Sequence, residues 1–168
     1  YKRQVKAAEV STKRRRSLGI GYIGLAHYLA KNGVKYNEKG AWELVDRLSE
    51  AFQYYLLRAS CDIAEEKGKC EYFDRTKYAD GLLPIDHYKK EVDEIVPHKQ
   101  RMAWESLRKD IAKYGLRHST LSAQMPSESS SVVSNETNGI EPPRAMLQIK
   151  KSKKGPLKQI APGFPKLK

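Results

Sequence analysis

Long apolar runs are missing from this sequence. Nothing approaches the roughly 18 to 20 consecutive apolar residues that span a bilayer, and the opening residues form no apolar core of a signal peptide. The expectation is a cytoplasmic protein with no membrane partner. Cysteine is scarce as well: Cys61 and Cys70 stand too far apart for a CxxC pair and make no disulfide framework, so both are read as structural. His27, His87, His98 and His118 are scattered, without an i, i+4 pair or a carboxylate at a ligand-like offset, which argues against a metal site.

Acidic residues are nearly absent from the two ends. Residues 1–16 hold seven Lys or Arg against Glu9, and residues 140–168 hold eight against Glu141. The ends therefore carry +6 and +7 of the +12 total, and residues 17–139 carry −1. A nearly neutral body with basic ends does not resemble a basic stripe along a binding face. The organisation expected is a basic lead-in over 1–16, a folded body over 17–149, and a Lys-, Pro- and Gly-rich segment over 150–168 with little order unless a partner is present. The chain opens on Tyr1, which fits a piece of a longer polypeptide, either an excerpt or a natural fragment that works only with its partner fragments.

What is present is mostly helical pattern. A glycine-containing turn after Ser17 feeds a short helix through Ile23, Leu25, Ala26, Tyr28 and Leu29. The longest regular element runs over 41–67, where Trp42, Val45, Leu48, Phe52, Tyr55, Leu56, Ala59 and Ile63 recur at steps of three and four, and Gly68 supplies a stop. Two further helices are expected over 84–95 and 99–114, the second with Met102, Leu107 and Ile111 inward and Gly115 at its end. Residues 116–123 alternate like a strand, Asn138-Gly139 signals a turn, and 145–149 is a second candidate strand. Helices separating few strands suggest an incomplete α/β arrangement.

Two stretches carry possible chemistry. Gly19-Ile20-Gly21-Tyr22-Ile23-Gly24 matches the G-x-G-x-x-G turn of dinucleotide-binding folds, but Lys13-Arg14-Arg15-Arg16 leads into it where a buried strand should. Glycines that open and pack the following helix explain the same letters. Pro126, Ser127, Glu128, Ser129 and Ser130 read as a helix N-terminus rich in hydroxyls. Unpaired backbone N–H groups, the positive end of the helix dipole and several side-chain donors together favour a phosphate there. A plain N-cap in a serine-rich turn is the alternative.

Six ordered blocks then carry a resemblance: Arg15-Arg16-Ser17-Leu18-Gly19-Ile20-Gly21, Gln53-Tyr54-Tyr55-Leu56-Leu57, Leu83-Pro84-Ile85-Asp86, Gly115-Leu116-Arg117-His118-Ser119-Thr120-Leu121-Ser122-Ala123, Met125-Pro126-Ser127-Glu128-Ser129-Ser130 and Thr137-Asn138-Gly139-Ile140-Glu141-Pro142-Pro143-Arg144. Together they resemble the large subunit of class I ribonucleoside-diphosphate reductase. The resemblance implies the second half of a ten-stranded α/β barrel, helix-rich, in an oxidoreductase that makes deoxyribonucleotides for DNA replication. It implies that Pro126, Ser127, Glu128, Ser129 and Ser130 hold the substrate diphosphate, Glu128 through its backbone amide, since its carboxylate would be repelled.

Its further implications lie off this chain. Hydrogen abstraction from the ribose by a cysteine thiyl radical is implied for the complete enzyme, with the radical delivered by a metal-containing small subunit and electrons supplied through a dithiol reductant. No N-x-C-x-E setting for a radical cysteine occurs here, and Tyr54-Tyr55 lies within a helix pattern, so no catalytic residue, cofactor or metal is expected on the chain. The expected partners are a ribonucleoside diphosphate, the rest of the large subunit and the small subunit, with no direct contact to nucleic acid. The competing reading is a non-catalytic basic module that binds nucleic acid through its ends.

Overall fold

The structure is a computed structural model and describes residues 5–95, 97, 99–152 and 155–162. In chain order it runs α1 (Lys6–Arg15), α2 (Leu25–Lys31), α3 (Lys39–Lys67), short 3-10 turns at Phe73–Arg75, Pro84–Asp86 and Lys90–Glu94, α4 (Trp104–Tyr114), α5 (Glu128–Ser134), and the strands β1 (Leu147–Ser152) and β2 (Gly155–Ile160). The chain divides into two compact units, one formed by Tyr1–Gly19 with Val45–Ala123 and the other by Ile20–Leu44 with Gln124–Lys168.

The first unit is organised by apolar burial. Leu57 and Cys61 of α3 meet Trp104, Leu107 and Ile111 of α4, with Cys70, Phe73, Leu83, Leu116 and Leu121 from the connecting segments closing the cluster. Cysteine and small residues let α3 be approached closely: Ser60 and Ala64 are buried beside Cys61, and the Arg117 N–H donates to the Ser60 carbonyl at 3.1 Å. The inward face is therefore Leu57, Ser60, Cys61 and Ala64, not the aromatic stripe. Trp42, Tyr55 and Ala59 of that stripe are exposed, and most of the rest is half-buried. Gly68 ends α3 at φ +80°, its N–H donating to the Ala64 carbonyl at 2.8 Å, an αL stop that a residue with a β-carbon enters at a cost.

Three expected elements differ. Residues 84–95 form two 3-10 turns in place of one helix, because Asp86 accepts the Leu83 N–H at 2.7 Å and is held by Arg108 of α4 at 2.9 Å, which fixes the chain in i to i+3 turns. The helix expected from residue 99 begins at Trp104. The amides of Arg101 and Met102 are given instead to Glu50 Oε1, at 2.7 and 3.1 Å, so the chain there is tied to α3 before it can coil. Residues 116–123 form no strand of a sheet among the described residues: bends fall at Arg117 and Ser119, and only Ser122 makes an isolated bridge. Their backbone partners are scattered: Leu116 accepts from Cys70, Arg117 donates to Ser60, Ser119 donates to Arg15, and Thr120 accepts from Leu18.

The basic lead-in is also more regular than its composition suggests, since α1 buries none of its residues and is tied down at its C-terminal end. There the Tyr72 N–H donates to the Arg14 carbonyl at 3.1 Å, and Arg14, Arg15 and Arg75 gather around the Tyr72 ring.

The second unit contains α2, the first turns of α3, α5 and a hairpin. Leu25, Leu29 and Ala41 are buried, while polar contacts hold the remainder: the Tyr36 hydroxyl donates to the Ile140 carbonyl at 3.0 Å and the Gln124 amide to the Tyr22 carbonyl at 2.8 Å. The segment beyond Lys150, expected to lack order alone, instead supplies β2. It pairs antiparallel with β1, Leu147 opposite Ile160 and Lys150 opposite Leu157.

Candidate functional site

The serine-rich loop lies in the second unit and opens α5. Ser127 is the N-cap residue, yet its hydroxyl does not cap: it donates to the Met125 carbonyl at 3.3 Å, and its backbone N–H donates to Asn138 Oδ1 at 2.5 Å. The first helical bond is from Ser131 N–H to the Ser127 carbonyl at 2.9 Å, so the amides of Glu128, Ser129 and Ser130 precede it without a backbone acceptor among the described residues. Pro126, Glu128, Ser129 and Ser130 are exposed, and Ser127 is half-buried. Neither the Ser129 nor the Ser130 hydroxyl has a partner among the described residues, whereas Ser131 and Ser134 turn their hydroxyls back onto the carbonyls of Glu128 and Ser130, at 3.0 and 2.7 Å.

Of the five residues expected to form the site, the structure thus presents three free amides and two free hydroxyls on one helix end. Ser127 is used differently, as the anchor of the loop. The turn that anchors it was legible as Asn138-Gly139, but its role was not. Gly139 is buried at φ +54°, and a β-carbon there would meet Gln124 Nε2 at 3.1 Å and the Met125 carbonyl at 3.4 Å, so the close approach of this turn to the start of the loop needs glycine. Beside α5 a pocket is lined by Glu128, Glu136, Asn138, Glu141, Arg144 and Lys150, three carboxylates with two cations.

The cysteines stand elsewhere. Both are buried, unpaired thiols in the first unit, and burial pushes Cys61 up to about 11 and raises Cys70 as well, so neither is poised as a thiolate. His118 is held by Ser60, whose hydroxyl is 2.9 Å from Nδ1. Burial, with the charges of Arg117 and Arg16, lowers its pKa. Among the described residues no three His, Cys, Asp or Glu side chains gather as a metal site, and no helix is long and apolar enough to cross a membrane. The glycine turn at 19–24 opens α2: Gly24, at φ +75°, is its N-cap residue.

A family model described as the barrel domain of ribonucleotide reductase matches residues 2–167. The chain belongs to the ribonucleotide reductase barrel-domain family. Among curated relatives it is 57% identical over 163 residues to the ribonucleoside-diphosphate reductase subunit alpha of Haemophilus influenzae, covering 97% of this chain and 22% of the relative. It is 51% identical to the subunit alpha of reductase 1 of Escherichia coli K12, covering 95% of this chain and 21% of that one, and 47% identical to the phage T4 subunit, covering 90% and 20%. The chain spans about a fifth of the length of these relatives. A helix-rich piece of a ribonucleotide reductase barrel domain is consistent with a sheet of only two strands among the described residues, since a barrel strand needs neighbours to pair with.

Residues that sequence reading passed over are the ones that hold the loop in place. Asn138 lies eleven positions from Ser127, and Glu136 makes a 2.7 Å bond to His27 across more than a hundred residues. No local spacing rule links such partners.

Proposed function

We propose that this chain is the part of a ribonucleoside-diphosphate reductase large subunit that holds the substrate diphosphate, with Ser129 and Ser130 as hydroxyl donors and the amides of Glu128, Ser129 and Ser130 as backbone donors. In this reading residues 17–149 belong to the second half of a ten-stranded α/β barrel, preceded by a basic lead-in over 1–16 and followed by a basic tail over 150–168. The complete cytoplasmic enzyme, working with a radical-generating, metal-containing small subunit and a dithiol reductant, reduces ribonucleoside diphosphates for DNA synthesis. This chain contributes binding and orientation, and the radical and redox groups lie on other segments.

The observation that supports the reading is the set of three amides and two exposed hydroxyls without partners among the described residues at the start of α5, in a loop whose own N-cap amide is already committed to Asn138. Amides and hydroxyls at a helix end suit the several anionic oxygens of a diphosphate, and they do so without the desolvation cost of burying a lone cation. Family membership and the nearly neutral charge of residues 17–139 favour this over the nucleic-acid reading.

The test is Ser129→Ala combined with Ser130→Ala in the complete subunit. Each hydrogen bond to a charged group is worth roughly 1.5 to 3 kcal/mol, so KM for the nucleoside diphosphate should rise by about tenfold or more while the backbone amides keep residual binding. Unchanged KM and kcat/KM would remove the diphosphate role.

A further inference from the structure

The His27–Glu136 pair is absorbed neither by the apolar core nor by the loop itself. His27 Nδ1 lies 2.7 Å from Glu136 Oε1, and both side chains are about three-quarters buried, with relative exposures of 23% and 24%. The other carboxylate oxygen, Oε2, is buried without a hydrogen-bond partner among the described residues, and it fills the space at Gly24 where a β-carbon would stand, 2.7 Å away. Gly24 is the N-cap residue of α2, a helix with no side-chain cap and no acidic residue in its first turn. Glu136 therefore brings the missing negative charge to that helix end from a distant part of the sequence.

The three residues that begin at Glu136 connect this helix end to the loop. The Glu136 N–H donates to the Ser131 carbonyl at 2.8 Å, and its carbonyl accepts from Gln159 at 2.9 Å. Thr137, 8% exposed, accepts the Gly24 N–H at 3.0 Å, and Asn138 then receives the Ser127 N–H at 2.5 Å. A shift of Glu136 is thus passed through one intervening residue to the side chain that fixes the loop's N-cap.

We propose that Glu136 and His27, with Gly24 as the seat for the carboxylate, form a positioning pair that sets the geometry of the 126–130 loop through Asn138. Neither residue touches substrate. The inference rests on the reading of that loop as the diphosphate site, and it adds residues that act through the loop.

The experiment uses the complete large subunit, assayed with its small subunit and a dithiol reductant. Glu136→Ala should raise KM for the nucleoside diphosphate roughly threefold to tenfold with kcat nearly kept, because misplaced donors cost binding before they cost chemistry. Glu136→Gln, which keeps an oxygen for His27, should recover most of the loss. Asn138→Ala should raise KM similarly, and adding Glu136→Ala to it should change KM little further, since both act through one anchor. Gly24→Ala should reproduce the Glu136→Ala effect on KM and be non-additive with it. If Glu136→Ala yields no folded subunit, His27→Gln removes the other half of the pair and is read in the same way. A drop in melting temperature with KM unchanged, or full additivity with Asn138→Ala, would overturn the proposal. If Ser129→Ala with Ser130→Ala raises KM and Glu136→Ala does not, the pair alone is refuted and the loop reading stands. If neither raises KM, the loop reading falls and the pair falls with it.

Discussion

The two units of this chain are held by different physics. In the first, ten buried apolar residues from α3, α4, the segments between them and the segment after α4 form one cluster, with Trp104, Leu107, Ile111, Leu57 and Leu116 at 1% exposure or less. In the second, the buried apolar side chains are few, and the loop, the turn at 136–139 and the hairpin are joined by a few hydrogen bonds. Val133, Met146, Leu147, Ile149 and Leu157 stand exposed there. The candidate site is on the second kind of scaffold. Elements held by few apolar contacts open locally at low free energy, which suits a segment that must adapt to a ligand but leaves its geometry dependent on a handful of polar contacts.

The comparison can be broken most directly in the apolar unit. Leu107→Ala removes a fully buried side chain from the middle of the cluster, and large-to-small changes of this kind cost about 2 to 5 kcal/mol. In the complete subunit, hydrogen exchange of the α4 amides should quicken by a matching factor while exchange in the 126–139 stretch changes little. If the loop and α4 lost protection equally, the two units would share one cooperative unfolding event and the contrast would fail.

A smaller effect is expected at Glu50, a buried carboxylate inside the first unit. Its carboxylate, 2% exposed, accepts from the amides of Arg101 and Met102 and from Trp104 Nε1, and pairs with the Arg101 guanidinium at 3.2 Å. Burial alone would raise its pKa, and these bonds outweigh burial and hold it below the ordinary value of 4.5. A carboxylate depressed in the folded state contributes stability that is present above its unfolded pKa and is lost as pH falls through the folded value. Thermal unfolding should therefore show a Glu50-dependent loss only below about pH 4.5, and Glu50→Gln should remove that part of the pH dependence. Glu50→Ala, which strands three donors near the start of α4, should cost about 2 to 4 kcal/mol at neutral pH. A pH profile identical in Glu50→Gln and the parent would show that the carboxylate's bonds do not form.

How much of this was legible follows from how far apart the partners are. α2, α3 and the end of α4 were visible because periodicity and glycine stops are local signals, and β1 was visible in outline for the same reason. Residues 99–103 and 84–95 were read as helix because nothing nearby shows that Glu50 and Arg108 claim them. The strand expected at 116–123 is absent beyond one bridge residue, because its backbone partners come from three separate segments, which alternation cannot reveal. The hairpin partner β2 was hidden by composition, since Lys, Pro and Gly suggest disorder while the antiparallel backbone pairing with β1 leaves no local signal. At the site, the hydroxyl-rich helix start could be read directly. Its anchors, Asn138 and Glu136, could not, because one was masked as a turn residue and the other pairs with a histidine set aside as scattered.

The smallest effect is expected from the isolated chain itself: it should reduce no nucleotide and bind ADP or CDP more weakly than about 1 mM, although it carries the loop. In the proposed reading the amides and hydroxyls at α5 would engage only the phosphate end of a nucleotide, so base and ribose would contribute nothing to the affinity. The loop is also held by the Ser127–Asn138 bond and its neighbours, with little apolar packing beneath it, so a ligand must pay for ordering before it gains contacts. The exposed apolar side chains of β1 and β2 are surface that further segments of the subunit can cover, and covering them would stiffen the unit that holds the loop. Calorimetric titration at about 0.15 M salt, where screening suppresses attraction to the basic ends, separates specific binding from general polyanion binding. A turnover assay with small subunit and dithiol reductant runs beside it. Micromolar affinity, or any deoxyribonucleotide formed by the chain alone, would mean that the second unit is preorganised without its neighbours, and the contrast drawn between the two units would then have no consequence for function.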